Sequence, residues 1–150
     1  MQKQVLIAGG GIGGLAAALG SARAGWEVRL FERAGAFTEV GAGVQIGPNV
    51  VRRLQAWGLQ RALLAVARFP DRLRGRSALT GAGLGAPRLG ATAVERYGAA
   101  YATIHRADLH GLLLDVARKS SLVHLNLNHR VERYVEQGDA VTVRLVRGDG

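Results

Sequence analysis

Three glycines and a carboxylate carry the most legible chemistry in this chain. Gly9, Gly11 and Gly14 follow the apolar run Val5-Leu6-Ile7-Ala8, and Glu32 closes a second apolar run further on. Each position has a physical reading. Gly9 lets the chain turn tightly out of a strand. Gly11 has no Cβ, so backbone there can approach a pyrophosphate. Gly14 lets a following helix lie close against the sheet. The start of that helix offers unpaired N–H groups and a partial positive charge to phosphate oxygens. Glu32, at a strand end, can accept hydrogen bonds from the 2′- and 3′-hydroxyls of a ribose.

These residues act together only if the intervening chain positions them. Residues 5 to 32 read as strand, glycine turn, helix and second strand, the sequence form of a dinucleotide-binding βαβ unit. The first strand is expected to be parallel and buried on both faces, because its apolar run is continuous. Ala18 is small where the helix must meet the strand, and Gly25 stands where a helix C′ glycine belongs. Val28, Leu30 and Phe31 supply the second strand. The extended spacing Gly14, Ala18, Gly25, Glu32 resembles the FAD-binding form of the fingerprint. The residues alone leave NAD open as the ligand, and also a structural Ala/Gly-rich helix with no ligand.

The bulk composition narrows the class. With 150 residues, 48% of them hydrophobic and 21% charged, the chain is expected to form one domain with a real core. Cysteine is absent, which excludes disulfides, a thiolate nucleophile and a zinc-cysteine site. The first residues lack the features of a secretory signal, and no apolar run approaches the roughly 20 residues of a membrane span. The expected location is cytoplasmic, with no membrane partner. The net charge of +9 raises nucleic acid as a partner, but the arginines are scattered and aromatics make up only 5%, so no stacking platform interleaves with them. The charge reads instead as a solvated surface that attracts anions, with no nucleic-acid partner.

Beyond the fingerprint, residues 33 to 47 read as a glycine-rich loop whose backbone passes close to something flat or bulky. Pro48 suits the first turn of a helix carrying Val50, Val51, Leu54 and Trp57 and stopped by Gly58. A second helix follows with Leu59, Leu63 and Val66 on one face. Residues 71 to 103 read as short antiparallel strands and loops. A helix then opens at Ile104-His105-Arg106-Ala107-Asp108-Leu109, with an apolar stripe of Leu109, Leu112, Leu113 and Val116. Val123, Leu125 and Leu127 alternate as a strand of the main sheet. Val131, Val135, the Gly138-Asp139 turn, Val141, Val143 and Leu145 form a hairpin. The last residues, Arg147-Gly148-Asp149-Gly150, signal a turn with no strand after it. The chain therefore reads as the N-terminal part of a longer protein, expected to self-associate through a strand edge if isolated.

Three separated motifs resemble one family: the fingerprint with Glu32, the loop Glu39-Val40-Gly41-Ala42-Gly43-Val44-Gln45-Ile46-Gly47-Pro48-Asn49, and the segment Arg106-Ala107-Asp108-Leu109. Together they look like the single-component flavin-dependent aromatic hydroxylases, in the branch of salicylate hydroxylase and 3-hydroxybenzoate 6-hydroxylase. The resemblance implies an α/β fold: a Rossmann-like FAD-binding βαβ of the glutathione-reductase type, incomplete, with added antiparallel strands and a hairpin. Residues 1–150 would be the N-terminal portion of that FAD-binding domain. The resemblance implies that Gly9, Gly11, Ile12, Gly13 and Gly14 line the FAD pyrophosphate, and that Glu32 binds the adenosine ribose with Arg33 beside it. Gly43, Val44 and Gln45 would lie along the ribityl chain and flavin ring. Arg106 would reach the ribityl–pyrophosphate region, where a guanidinium suits phosphate charge. Val131 would touch the adenine through its backbone.

The implied activity is monooxygenation of a small aromatic acid or phenol, with FAD as cofactor, NAD(P)H as reductant and O2 as co-substrate, and with room for a homodimer. No catalytic residue and no metal ligand is assigned within these residues. The further Asp-Gly and Gly-Asp motifs of the family, and most of its substrate pocket, would lie past residue 150. None of the four histidines is assigned to catalysis: His105 directly precedes Arg106, and His110, His124 and His129 are expected to be structural. Two other readings are a dehydrogenase or reductase of the same fold, and a noncatalytic nucleotide-binding module.

Overall fold

The computed structural model describes residues 3–38 and 41–148. The chain divides into two compact units, one formed by residues 1–39 and 110–150, the other by residues 40–109. The first motif and the hairpin belong to the first unit. Gly41–Asn49 and the start of the Arg106 helix belong to the second.

The first unit is built on β1 (Gln4–Ala8), α1 (Ile12–Arg23) and β2 (Glu27–Phe31), with β7 (Val123–Asn126) added beside β2. All strands of this sheet are parallel, in the order β1-β2-β7, and Val5 pairs with Val28 while Val28 pairs with Val123. Leu15, Ala18, Leu19, Val28 and Leu30 form the core between helix and sheet. Burying a leucine or valine side chain contributes roughly 1.5–3 kcal/mol each, which fixes the helix over the strands. α1 ends as expected: Gly25 has φ +80°, and the N–H groups of Gly25 and Trp26 return to the carbonyls of Ala22 and Ser21 at 3.0 and 3.1 Å.

One expectation about this unit fails. Val5, Leu6 and Ile7 are half-buried, and Ala8 is exposed. Among the described residues β1 pairs with β2 alone, so one of its edges has no neighbouring strand to cover it. β8 (His129–Gln137) and β9 (Ala140–Arg147) form the expected hairpin as a separate two-stranded sheet, turning at Gly138. The turn residue Asp149 and the final Gly150 lie outside the described residues, so the reading of the chain's end has no structural counterpart.

The second unit holds β3 (Gly43–Ile46), α2 (Pro48–Ala56), α3 (Gln60–Val66), the short β4 (Gly75–Arg76) and β5 (Gly83–Gly85), α4 (Gly90–Tyr97) and β6 (Ala102–His105). The loop expected over residues 33 to 47 contains a strand, β3, because Gly43–Ile46 pairs antiparallel with Ala102–His105, a partner far away in the chain. The stretch 71 to 103 contains the expected β4–β5 pair but also the helix α4, which ends at Gly98 in the left-handed conformation. The helix gives little apolar periodicity because its core contact is small, Ala93 alone being buried on it. Val51, Leu54, Leu59 and Leu63 are core, whereas Val50 and Val66 are exposed, so the apolar faces of α2 and α3 are narrower than the periodicity implies.

α5 (Arg106–Lys119) starts two residues later than expected, since Ile104 and His105 complete β6. Its buried residues include Leu109, Leu113, Leu114 and Ala117, while Leu112 and Val116 are half-buried. The buried face is therefore rotated from the expected stripe, toward Leu114 and Ala117 and away from Leu112 and Val116.

Candidate functional site

The glycine turn between β1 and α1 is held by β2, by Glu32 and by α5. The Gly9 N–H donates to the Phe31 carbonyl at 2.8 Å, which carries the chain out of the strand with φ +100° at Gly9, a conformation glycine adopts at little cost. The Gly10 N–H donates to Glu32 Oε2 at 2.6 Å, and the Gly10 carbonyl accepts a hydrogen bond from His110 Nε2 at 2.8 Å. Gly14 touches the turn from the helix: a Cβ there would collide with the Gly9 carbonyl oxygen and lie 3.5 Å from Ile7 Cγ2. The close helix–strand packing read from Gly14 is thus a direct contact with the turn.

Glu32 follows β2 immediately and serves two backbone donors, since Oε1 accepts the Ala34 N–H at 2.9 Å. Its partial burial works to raise the carboxyl pKa. The N–H groups of Ala34 and Gly10 and the neighbouring Arg33 charge outweigh that effect and hold the group below the usual carboxylate range. An ionised carboxylate has about four acceptor positions, so Glu32 can serve these amides and still accept sugar hydroxyls.

Two adjoining cavities open around this acid. One, of about 310 Å³, is lined by Gly10, Gly11, Glu32, Arg33, Phe37 and His110 among others. The other, of about 180 Å³, is lined by Gly9, Glu32, Arg33, His129 and Val131 among others. The structure therefore places Gly11 on the first cavity and Gly9 and Val131 on the second, with Glu32 and Arg33 lining both. Above the helix start, a Cβ on Gly13 would meet nothing within 4 Å. Gly11 caps α1 without a side-chain hydrogen bond, so the amides of Ile12, Gly13 and Gly14 have no acceptor in the helix. Open space beside N–H donors that have no acceptor among the described residues, a cation and a carboxylate with spare acceptor capacity fits a ligand carrying a diphosphate and a vicinal diol.

The remaining candidates gather in the second unit. Gly43, Val44 and Gln45 lie on β3 and pair with His105, Ile104 and Thr103, directly before Arg106. The Arg106 N–H donates to the Ala42 carbonyl at 3.3 Å, and a Cβ on Gly41 would lie 3.0 Å from Arg106 Cδ. The bulky group against the glycine loop is therefore the Arg106 stem, in part. The start of that loop, Glu39 and Val40, lies outside the described residues.

Two residues of the site, Gly10 and Phe37, carry no assignment from the sequence, and a third, His110, is expected there only as a structural residue. Gly10 is the middle of the run Gly9-Gly10-Gly11, and a Cβ there would collide with Phe37 Cε1 and crowd Glu32 Cβ at 3.2 Å. Phe37 packs its ring 6.1 Å from the His110 ring at a 43° tilt. His110 is 4% exposed and joins the turn from α5. A third glycine in the run was a visible signal for Gly10; no spacing rule links position 110 to it. Of the other histidines, His124 pairs with Glu27 at 3.3 Å, His129 Nδ1 lies 2.6 Å from the Leu127 carbonyl, and His105 Nδ1 accepts the Ala107 N–H at 3.3 Å.

The βαβ unit and the site at its glycine turn define a dinucleotide-binding domain of the Rossmann kind. A family model described as an FAD-binding domain matches residues 2–150, and the chain belongs to that family, whose cofactor is FAD. Over 97% of its length it is 39% identical to 6-hydroxynicotinate 3-monooxygenase of Bordetella bronchiseptica, of which it covers 37%. Over 99% of its length it is 38% identical to 3-hydroxybenzoate 6-hydroxylase 1 of Aquipseudomonas alcaligenes, of which it covers 38%. Among solved structures it is similar to Klebsiella pneumoniae HpxO complexed with FAD and uric acid, with a TM-score of 0.77 and 27% identity, covering 98% of this chain and 37% of that one. The chain thus spans little more than a third of the length of these relatives. Among the described residues, no helix is long and apolar enough to cross a membrane.

Proposed function

We propose that the full-length protein is an FAD-dependent monooxygenase that hydroxylates a small aromatic acid or phenol, with NAD(P)H as reductant and O2 as oxygen donor. The observation that carries this reading is the likeness, along nearly the whole chain, to curated monooxygenases of a hydroxynicotinate and a hydroxybenzoate. It is supported by the acid-bearing cavity at the glycine turn. When bound, FAD supplies the redox chemistry and the activation of oxygen; the protein binds, orients and shields it.

In this reading the amides of Gly11, Ile12, Gly13 and Gly14 hold the pyrophosphate, with Gly9 shaping the turn. Glu32 accepts the ribose hydroxyls, Arg33 adds charge beside it, and the Val131 backbone borders the adenine. Gly43, Val44 and Gln45 lie along the ribityl chain and ring, and Arg106 supplies a guanidinium to the phosphate region. Residues 1–150 are read as the N-terminal portion of the FAD-binding domain, and none of them is assigned a catalytic role. Two copies of the full-length chain forming a dimer is part of the same reading.

The test is the full-length protein purified without added flavin. The expected result is the visible absorption of bound flavin, NAD(P)H consumption stimulated by hydroxylated aromatic acids, and a ring-hydroxylated product whose new oxygen comes from labelled O2. Flavin with no aromatic stimulation and no hydroxylated product would point to a reductase. Absence of any flavin or nucleotide would refute the site as well as the activity.

A further inference from the structure

We propose that His110 is a positioning residue for the cofactor, acting through the Gly10–Gly11 peptide; this rests on the reading of the glycine turn as the diphosphate site. A carbonyl oxygen only accepts, so the 2.8 Å contact between His110 Nε2 and the Gly10 carbonyl requires Nε2 to carry a hydrogen. The peptide linking Gly10 to Gly11 is planar and trans, so its C=O and N–H point in opposite directions. Holding the Gly10 carbonyl against the imidazole therefore holds the Gly11 N–H pointing away from it. That N–H has no protein acceptor among the described residues, and Gly11 lines the cavity of about 310 Å³ beside Glu32 and Arg33. It stays available to a phosphate oxygen.

Three features make this a built arrangement rather than a chance contact. His110 is 4% exposed, so its ring is removed from water and the contact is not exchanged with solvent. The Phe37 ring lies 6.1 Å from it and limits its rotation. The same glycine is held on its other side, because its N–H donates to Glu32 Oε2 at 2.6 Å. Without these two side chains, a residue with no side chain of its own would sample many backbone orientations. With both in place, the peptide plane facing the ligand is set before the ligand arrives, and the ordering cost is not met from binding.

The experiment measures the affinity of the apo form of the full-length chain for FAD and for ADP, which carries the diphosphate but no flavin. His110→Leu, close in bulk but without a donor, is expected to weaken both by about tenfold or more, the loss equivalent to one strong hydrogen bond. His110→Gln, whose amide can reach the Gly10 carbonyl, is expected to restore both to within about threefold of wild type. Leu113→Ala removes another buried side chain of the same helix while keeping the His110 imidazole itself, and is expected to stay within about threefold as well. Wild-type ADP affinity in His110→Leu would overturn the proposal, as would an equal loss in Leu113→Ala, since helix packing would then explain the effect. If His110→Leu does not fold, His110→Asn, whose shorter amide falls short of the carbonyl, takes its place against His110→Gln. A wild-type protein that binds neither ADP nor FAD would instead refute the reading of the site itself.

Discussion

The Glu32 carboxylate and the Gly10 N–H are hydrogen-bonded at 2.6 Å, so the residue expected to read the ribose also anchors the turn expected to hold the phosphates. One side chain couples the two halves of the site. A change at Glu32 therefore acts on the fold and on the ligand together.

Glu32→Ala removes the acceptor for both Gly10 and Ala34. Leaving such donors unsatisfied costs roughly 1–3 kcal/mol each where they are buried, and less where water replaces the acceptor, as it can at Ala34. The apo protein is expected to melt several degrees lower, and FAD affinity to fall at least about tenfold. Calorimetry of the apo variant with a flavin titration checks both. An apo melting temperature equal to wild type would show that the carboxylate does not hold the turn.

The same group sets an acid limit. Its folded pKa lies below the ordinary value, so its stabilising contribution is present at neutral pH, above the unfolded carboxyl pKa of about 4.3. The contribution is lost as pH falls through the folded value. Wild type is expected to exceed Glu32→Gln in stability at pH 7, with the gap narrowing as pH drops below about 4. Denaturant unfolding of the pair across this range would expose the error if the gap stayed constant.

Gly14 and Gly13 are adjacent and opposite in effect. A Cβ at Gly14 collides with the Gly9 carbonyl oxygen, while one at Gly13 meets nothing within 4 Å. Gly14→Ala must shift the helix off the sheet and is expected to destabilise the apo protein by about 2 kcal/mol or more. Gly13→Ala gains helix propensity and is expected to be neutral or stabilising by up to about 1 kcal/mol. Equal stability of the two variants in urea would mean that the turn does not pack as described.

Arg106 tests the second cluster. Its stem covers Gly41 and its backbone is tied to Ala42. If its guanidinium serves the cofactor phosphates, Arg106→Ala should weaken FAD about tenfold or more, and added salt should weaken the wild type more than the variant. Arg106→Met, which keeps most of the stem over Gly41, separates packing from charge. Wild-type affinity in Arg106→Met would assign the residue to packing alone.

Local chemistry was enough to read the βαβ unit and its turn. Gly9 must adopt positive φ, Gly25 must close a helix, and Gly14 must let two elements touch; each demand is met by the residue itself or its near neighbours. The hairpin is legible for the same reason, since strand alternation and the Gly138 turn are adjacent in the chain. What depended on distant partners was not legible. Gly43–Ile46 is a strand because Ala102–His105 lies beside it, and β1 is half-covered because of which strands stand next to it. His110 belongs to the site because α5 delivers its ring to a carbonyl a hundred residues away. A hydrogen bond between a helix side chain and a glycine carbonyl leaves no periodicity in either segment, so only the folded chain could reveal it.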